Sequence, residues 1–244
     1  MALKTYADGS IFGERHGTGE PRVLALHGWG RDRSDFARAL DGLDAVSIDL
    51  PGFGASPSPP QVIGAAGYAE LVAPVVAAFA RPPVLVGHSF GGRVAVALAS
   101  TSPASVAGLV LVGAPLLHRG DRGPQRPPVA YRLAKWANRR GLLSDERLEQ
   151  KKRSSGSEDY RAASGVMRDI LVKAVNESYE DELSDVRCRV RLVWGENDDE
   201  VPVSVARRAA DLLADASVDV VAGVGHHVLL LAPNRVRAAI EGLL

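Results

Sequence analysis

Residues 84–92 read V-L-V-G-H-S-F-G-G. Three apolar residues run into Gly-His-Ser-Phe-Gly, and an Ala- and Val-rich stretch follows at 93–99. The pattern is a buried strand, an abrupt turn and a buried helix, with one serine at the turn. The spacing Gly87-x-Ser89-x-Gly91 fits a strand-to-helix corner that holds its serine in a left-handed backbone conformation. Such a corner needs neighbours with almost no side chain. It lifts the hydroxyl clear of the sheet and sets the first amides of the helix beside it. G-x-S-x-G alone is a weak signal in a chain with 25 glycines. Its place between a strand-like and a helix-like run is what makes Ser89 a candidate nucleophile.

The rest of the chain supplies a sheet for that corner. Residues 3–17 are expected to form an edge hairpin around Asp8-Gly9. Residues 22–27, 45–50, 106–112, 190–194 and 218–222 are apolar runs of the kind found in strands covered on both faces. Helices are expected at 36–43, 203–213 and 233–243. Another is marked by Tyr68, Leu71, Val72, Val75, Val76 and Phe79 at helical spacing. This alternation predicts an α/β fold with a doubly wound, mostly parallel sheet.

The alternation breaks at 116–184. No central-strand run occurs there, and residues 119–153 hold eleven Lys or Arg against four Asp or Glu. Val166, Met167, Ile170, Leu171, Ala174 and Val175 mark one amphipathic helix. The expected organisation is a core from 1–115 and 185–244, with 116–184 as a helical cap over the carboxyl ends of the strands. Leu133 and Trp136 are expected to touch the body from the cap.

Bulk properties narrow the partners. Hydrophobic content of 46% is enough for a large core. The 29 basic and 29 acidic side chains cancel, so no global field attracts nucleic acid or an anionic membrane. The basic run is diluted by acids at 121, 145, 146 and 149 and reads as a solvated helix face. A small-molecule substrate is expected, with neither nucleic acid nor membrane as partner, and the oligomeric state stays open. Cys188 stands alone, which excludes an internal disulfide and a Cys-rich zinc site. The first residues carry no apolar signal segment, and the apolar runs are too short to span a bilayer. A cytoplasmic protein is expected.

A serine hydroxyl needs a base in reach, and the base needs an orienting acid. Asp198 follows one predicted strand and His226 the next, with Asp199 and His227 as rivals. In a parallel sheet their loops open on the same edge as Ser89, where such sheets place ligands. Oxyanion donors are expected from the amides of Phe90 and of Trp29, in the loop H-G-W-G at 27–30. The side chains of Trp29 and Phe90 would line an acyl pocket. Arg93 is a candidate substrate-binding cation, or else a helix-surface charge. His27 and Asp49 read as braces for their loops.

At these landmarks the chain resembles the α/β-hydrolase superfamily over essentially its full length. They are H-G-W-G (27–30), D-L-P-G-F-G (49–54), G-H-S-F-G-G (87–92), W-G-E-N-D-D-E-V-P (194–202) and G-H (225–226). The resemblance implies Asp198 as the acid, His226 rather than His227 as the base, and Trp29 as the second oxyanion donor. It implies acyl transfer to water with no metal and no organic cofactor. Haloalkane dehalogenases and α/β epoxide hydrolases carry aspartate where this chain has Ser89, so their chemistry is set aside. H-G-W-G and the small cap resemble short-chain carboxylesterases, including the pimeloyl-ester type. Arg93 resembles the arginine of a menaquinone-pathway lyase, and meta-cleavage hydrolases and perhydrolases share the framework. Serine ester hydrolysis is therefore expected. The alternatives are cleavage of a carbon–carbon bond in an anionic substrate, by hydrolase or lyase, and a non-catalytic ligand-binding relative.

Overall fold

The computed structural model describes residues 3–118, 140 and 158–244. Eight strands are formed: β1 Leu3–Tyr6, β2 Ile11–His16, β3 Val23–Leu26, β4 Ala45–Ile48, β5 Val84–His88, β6 Gly108–Val112, β7 Arg189–Gly195 and β8 Ala216–Val221. They make one sheet in the order β1-β2-β4-β3-β5-β6-β7-β8. The β1–β2 and β2–β4 pairs are antiparallel, and the others are parallel. The fold is the expected mostly parallel α/β sheet.

Both faces of the central strands are buried, which is why their sequences read as unbroken apolar runs. Alternate residues serve opposite layers. Leu24, Leu26, Leu109 and Leu111 pack with α1 (Ala65–Ala77) and α2 (Phe90–Thr101). Val23, Ala25, Val110 and Val112 pack on the other side with Phe36, Leu40, Val228, Val236 and Ile240. Of these, Val228 lies in α7 (Val228–Leu231), and Val236 and Ile240 in α8 (Pro233–Glu241).

Between β6 and β7 lie α3 (Glu158–Ala162), α4 (Gly165–Ala174) and α5 (Glu180–Asp185), in the helical cap insertion. α4 follows the predicted amphipathic stretch and buries Ile170, Leu171 and Ala174. The expected contacts from Leu133 and Trp136 lie outside the described residues. α6 (Val203–Leu212) then links β7 to β8.

The helix expected at 36–43 is corrected by the structure. A short 3-10 turn occupies Arg33–Phe36 instead, and the chain then continues in turns. The Asp32 side chain caps the start of this turn by accepting the Ser34 amide at 2.8 Å, and Gly42, at φ 80°, turns the chain before a longer helix is complete. Phe36, Ala39 and Leu40 are still buried. The apolar signal was burial rather than helix.

Sheet order marks the edge at which open α/β sheets place ligands. The chain leaves β3 toward β4 on one side and returns to β5 on the other. The carboxyl ends of β3 and β5 are thus a topological switch point. Leu26 pairs with Gly87, so His27, which opens the loop after β3, stands level with His88, the last residue of β5.

Candidate active site

Ser89 sits between β5 and α2 at φ 48°, ψ −112°, a left-handed region that L residues rarely enter. Its amide is tied to Val112 O at 2.9 Å, and its carbonyl accepts Gly92 N–H at 3.0 Å. The flanking glycines are explained by approach distance. A side-chain carbon on Gly91 would collide with the Leu26 carbonyl and lie 2.6 Å from His27 O. One on Gly87 would lie 2.5 Å from the Gly92 Cα. The corner closes against β3 only because both are absent.

The acid and the imidazole come from the next two strand ends. Asp198 follows β7 and is buried. Its Oδ1 accepts the amides of Glu200 at 3.0 Å and Val201 at 2.7 Å. Its Oδ2 is left to meet His226 Nδ1 at 2.8 Å. Trp194, fully buried, donates its indole N–H to Val201 O at 2.7 Å and fixes the same turn from below. It is His226, not His227, that takes the carboxylate.

Register carries this pair toward the serine. His88 pairs with Val112, so Ser89 stands level with Gly113 on the neighbouring strand end. Gly113, at φ +54°, has its open side beneath the imidazole. A side-chain carbon there would lie 3.2 Å from both Nδ1 and Cε1 of His226. The His88 and His226 rings are 5.2 Å apart. Among the described residues the Ser89 hydroxyl makes no hydrogen bond to the imidazole; in hydrolytic sites such bonds commonly tighten only in the complex with substrate.

His226 is pulled two ways. Burial lowers its pKa, but the Asp198 hydrogen bond and the charges of Asp198, Glu200 and Asp159 outweigh that, and the net shift is upward. His88 goes the other way. Burial first, then repulsion from His226, pushes it down from 6.5 to about 4. Its Nδ1 is buried without a hydrogen-bond partner. The ring is therefore neutral in the folded chain near neutrality.

His88 has a consequence for stability. Its folded pKa lies below its unfolded one, so the unfolded state binds more protons between pH 4 and 6.5. The stability is fully present above 6.5 and is lost as pH falls toward 4. The loss from His88 alone is about 3 kcal/mol. His16 and His27, lowered chiefly by burial, act in the same sense, and His226 in the opposite one. Urea midpoints of the wild type should fall steeply from pH 7 to pH 5. They should fall less steeply for His88→Leu.

The second loop is braced as expected. His27 is buried, with Nδ1 donating to Gly28 O at 2.7 Å and Nε2 accepting Leu50 N–H at 2.9 Å. Asp49, at 0% exposure, accepts the Arg33 amide at 3.0 Å, the Arg33 guanidinium at 2.6 Å and the Ala55 amide at 2.9 Å. The loop so held carries Phe53 to Trp29, with centroids 4.9 Å apart and edge to face. Trp29 meets Phe90 at 5.3 Å, and Phe90 meets Tyr68 at 4.9 Å. The result is a run of edge-to-face rings next to Ser89, with Phe90 and Tyr68 buried in the core and Trp29 and Phe53 packed against it. Phe90 opens α2, so its N–H has no acceptor within the helix. Neither that amide nor the one of Trp29 finds an acceptor among the described residues.

Arg93 is placed differently from the expectation that it binds substrate. It is only 7% exposed. Its Nε donates to Pro115 O at 2.9 Å and its Nη1 to Ala174 O, and the guanidinium lies 5.8 Å from the Tyr179 ring centroid. Tyr179 in turn donates to Glu177 Oε2 at 2.5 Å. Arg93 fastens α4 and α5 to the helix that begins at the serine. No sequence pattern signals this, because the two carbonyls it meets are main-chain groups.

Among the described residues no cluster of three His, Cys, Asp or Glu could hold a metal, and no helix is long and apolar enough to cross a membrane.

The profile described as "Alpha/beta hydrolase family" matches residues 23–239. A pimeloyl-[acyl-carrier protein] methyl ester esterase of Chromobacterium violaceum is 40% identical over 108 residues, covering 42% of this chain and 40% of that enzyme. A 2-hydroxy-6-oxononadienedioate/2-hydroxy-6-oxononatrienedioate hydrolase of Burkholderia vietnamiensis is 27% identical over 249 residues, covering 86% of this chain and 82% of that enzyme. The chain spans less than half the length of some of the curated relatives it matches. Among solved structures, a thermophilic esterase from Thermogutta terrifontis superposes with a TM-score of 0.69 at 22% identity, over 99% of this chain and 97% of that one.

Proposed function

The chain belongs to the α/β-hydrolase family, and from that footing we propose that it is a serine hydrolase cleaving a carboxylic ester of a small or medium acyl group through an acyl-enzyme. The observation that carries the reading is the 2.8 Å bond between His226 Nδ1 and Asp198 Oδ2, set over Gly113 beside a serine held at φ 48°. With Nδ1–H committed to the carboxylate, Nε2 is the nitrogen free to accept a proton. Ser89 attacks the ester carbonyl and His226 takes its proton. The Trp29 and Phe90 amides receive the oxyanion, each worth about 3 kcal/mol in the transition state. His226 then protonates the departing alcohol and activates the water that opens the acyl-enzyme. The partly buried rings of Trp29 and Phe53, packed on Phe90, suit an apolar acyl chain.

The test is a p-nitrophenyl ester series from acetate upward, together with covalent capture of Ser89 by a fluorophosphonate. Turnover that peaks at a short or medium chain and labelling at Ser89 are expected. An unlabelled protein that turns over no ester would refute the reading.

Hydrolysis of a carbon–carbon bond is the second reading, supported by the 27% identity to the meta-cleavage relative along 86% of the chain. The position of Arg93 weighs against its anionic form, because the guanidinium is already occupied by Pro115 O and Ala174 O. Arg93→Met should therefore lower the melting temperature and leave the preference between neutral and carboxylate-bearing substrates unchanged. A loss confined to carboxylate-bearing substrates would favour the second reading.

A further inference from the structure

The imidazole of His226 faces two carboxylates. Asp198 holds Nδ1 at 2.8 Å, and Glu200 Oε2 lies 3.8 Å from Nε2, the opposite edge of the ring. The approach is built by the same turn. Asp198 Oδ1 accepts the Glu200 amide at 3.0 Å, which pins the Glu200 backbone against the acid. The side chain, 66% exposed, then reaches past it to the far ring nitrogen. Nothing in the proposed chemistry uses Glu200, yet it lies on the nitrogen that has to serve Ser89.

We propose that Glu200 is a positioning residue for His226: once the imidazole is protonated, Glu200 takes its Nε2–H, and so sets the proton concentration at which the ring is withdrawn from Ser89. A neutral ring offers Nε2 as a lone pair, which a carboxylate repels and a serine hydroxyl fills. A protonated ring offers Nε2–H, which a carboxylate attracts. The same residue thus favours the serine contact in one protonation state and competes with it in the other.

The other titratable groups around the ring are Asp159 from α3, His88 from the end of β5, and the adjoining His227. Asp159 and Glu200 both act on the imidazole in the raising direction, and His88 is itself lowered first by burial and then by His226. The proposal rests on the serine-hydrolase reading only for what protonation does to turnover.

The test is therefore an NMR titration of the His226 ring, assigned by its loss in His226→Gln, in wild type and Glu200→Gln. The midpoint should fall by about half a pH unit in Glu200→Gln. In 0.5 M NaCl the wild-type midpoint should move toward that of the variant, because the carboxylate is exposed to screening. Glu196→Gln removes a carboxylate of the same loop that bonds Gly223 N–H instead, and it should leave the midpoint in place. Equal midpoints for wild type and Glu200→Gln, or an equal fall in Glu196→Gln, would overturn the proposal. The acid limb of kcat/KM should follow the midpoint downward in Glu200→Gln. A midpoint that moves in a protein hydrolysing no ester would refute the ester reading and leave the pairing intact.

Discussion

Ser89→Ala should hydrolyse p-nitrophenyl butyrate about 10⁶-fold more slowly than the wild-type chain. The substitution removes one oxygen from a corner whose shape is set by main-chain bonds and by glycine packing, so the fold should survive. What remains is the Asp198–His226 pair and two amides, with nothing to form the acyl-enzyme. His226→Ala should cost a comparable factor, since the members of the proposed triad would act as a unit. His227→Ala should keep most of the activity, because the bond to Asp198 is made by His226. Steady-state rates of the three variants, each corrected for folded fraction, check the set. Equal rates for wild type and Ser89→Ala would end the case for this nucleophile. The reverse order of the two histidines would move the base by one residue.

Asp49→Ala should destabilise the chain by about 3–5 kcal/mol, the usual result of removing one partner from a buried ion pair. Asp49 is inaccessible and receives three donors, two from Arg33 and one from Ala55. Without it, two amides and a guanidinium lose their acceptor together. For a domain of this size the melting temperature should drop by about 10 °C. Asp41→Ala is the control. That side chain is 85% exposed and meets Arg237 at 3.9 Å, so its loss should lie within about 0.5 kcal/mol of zero. Urea or thermal melts decide the matter. Equal effects would mean that the loop after β4 is held by something other than its aspartate.

The sheet was legible because its central strands are buried on both faces, and burial leaves a direct mark on composition. The serine corner was legible because close backbone approach demands glycine at fixed offsets. Other features leave no such mark. α5, E-D-E-L-S-D, is too short and too acidic to show a period, and it is held mainly by Leu183 in the core. The apolar residues of 36–43 read as a helix because Phe36, Ala39 and Leu40 are buried, whereas Gly42 at φ 80° turns the chain. Arg93 was legible as a charge but not as a brace, since its acceptors are carbonyls that every residue carries. The reach of Glu200 to His226 depends on a turn closed by Asp198, and no sequence spacing reports it.

The proposed machinery is divided along the chain. The serine and the two amides belong to residues 29–90, whereas the acid and the imidazole arrive with β7 and β8, beyond the cap helices. During synthesis the first half leaves the ribosome before position 226, yet one face of β3 and β5 is covered by Val228, Val236 and Ile240, so the crevice is completed only with the last helices. Such a nascent chain would carry an unactivated hydroxyl and be inert toward esters. Catalytic competence would then appear only on docking of the last two strands and the helices that follow them, which makes hydrolysis a direct reporter of completed folding.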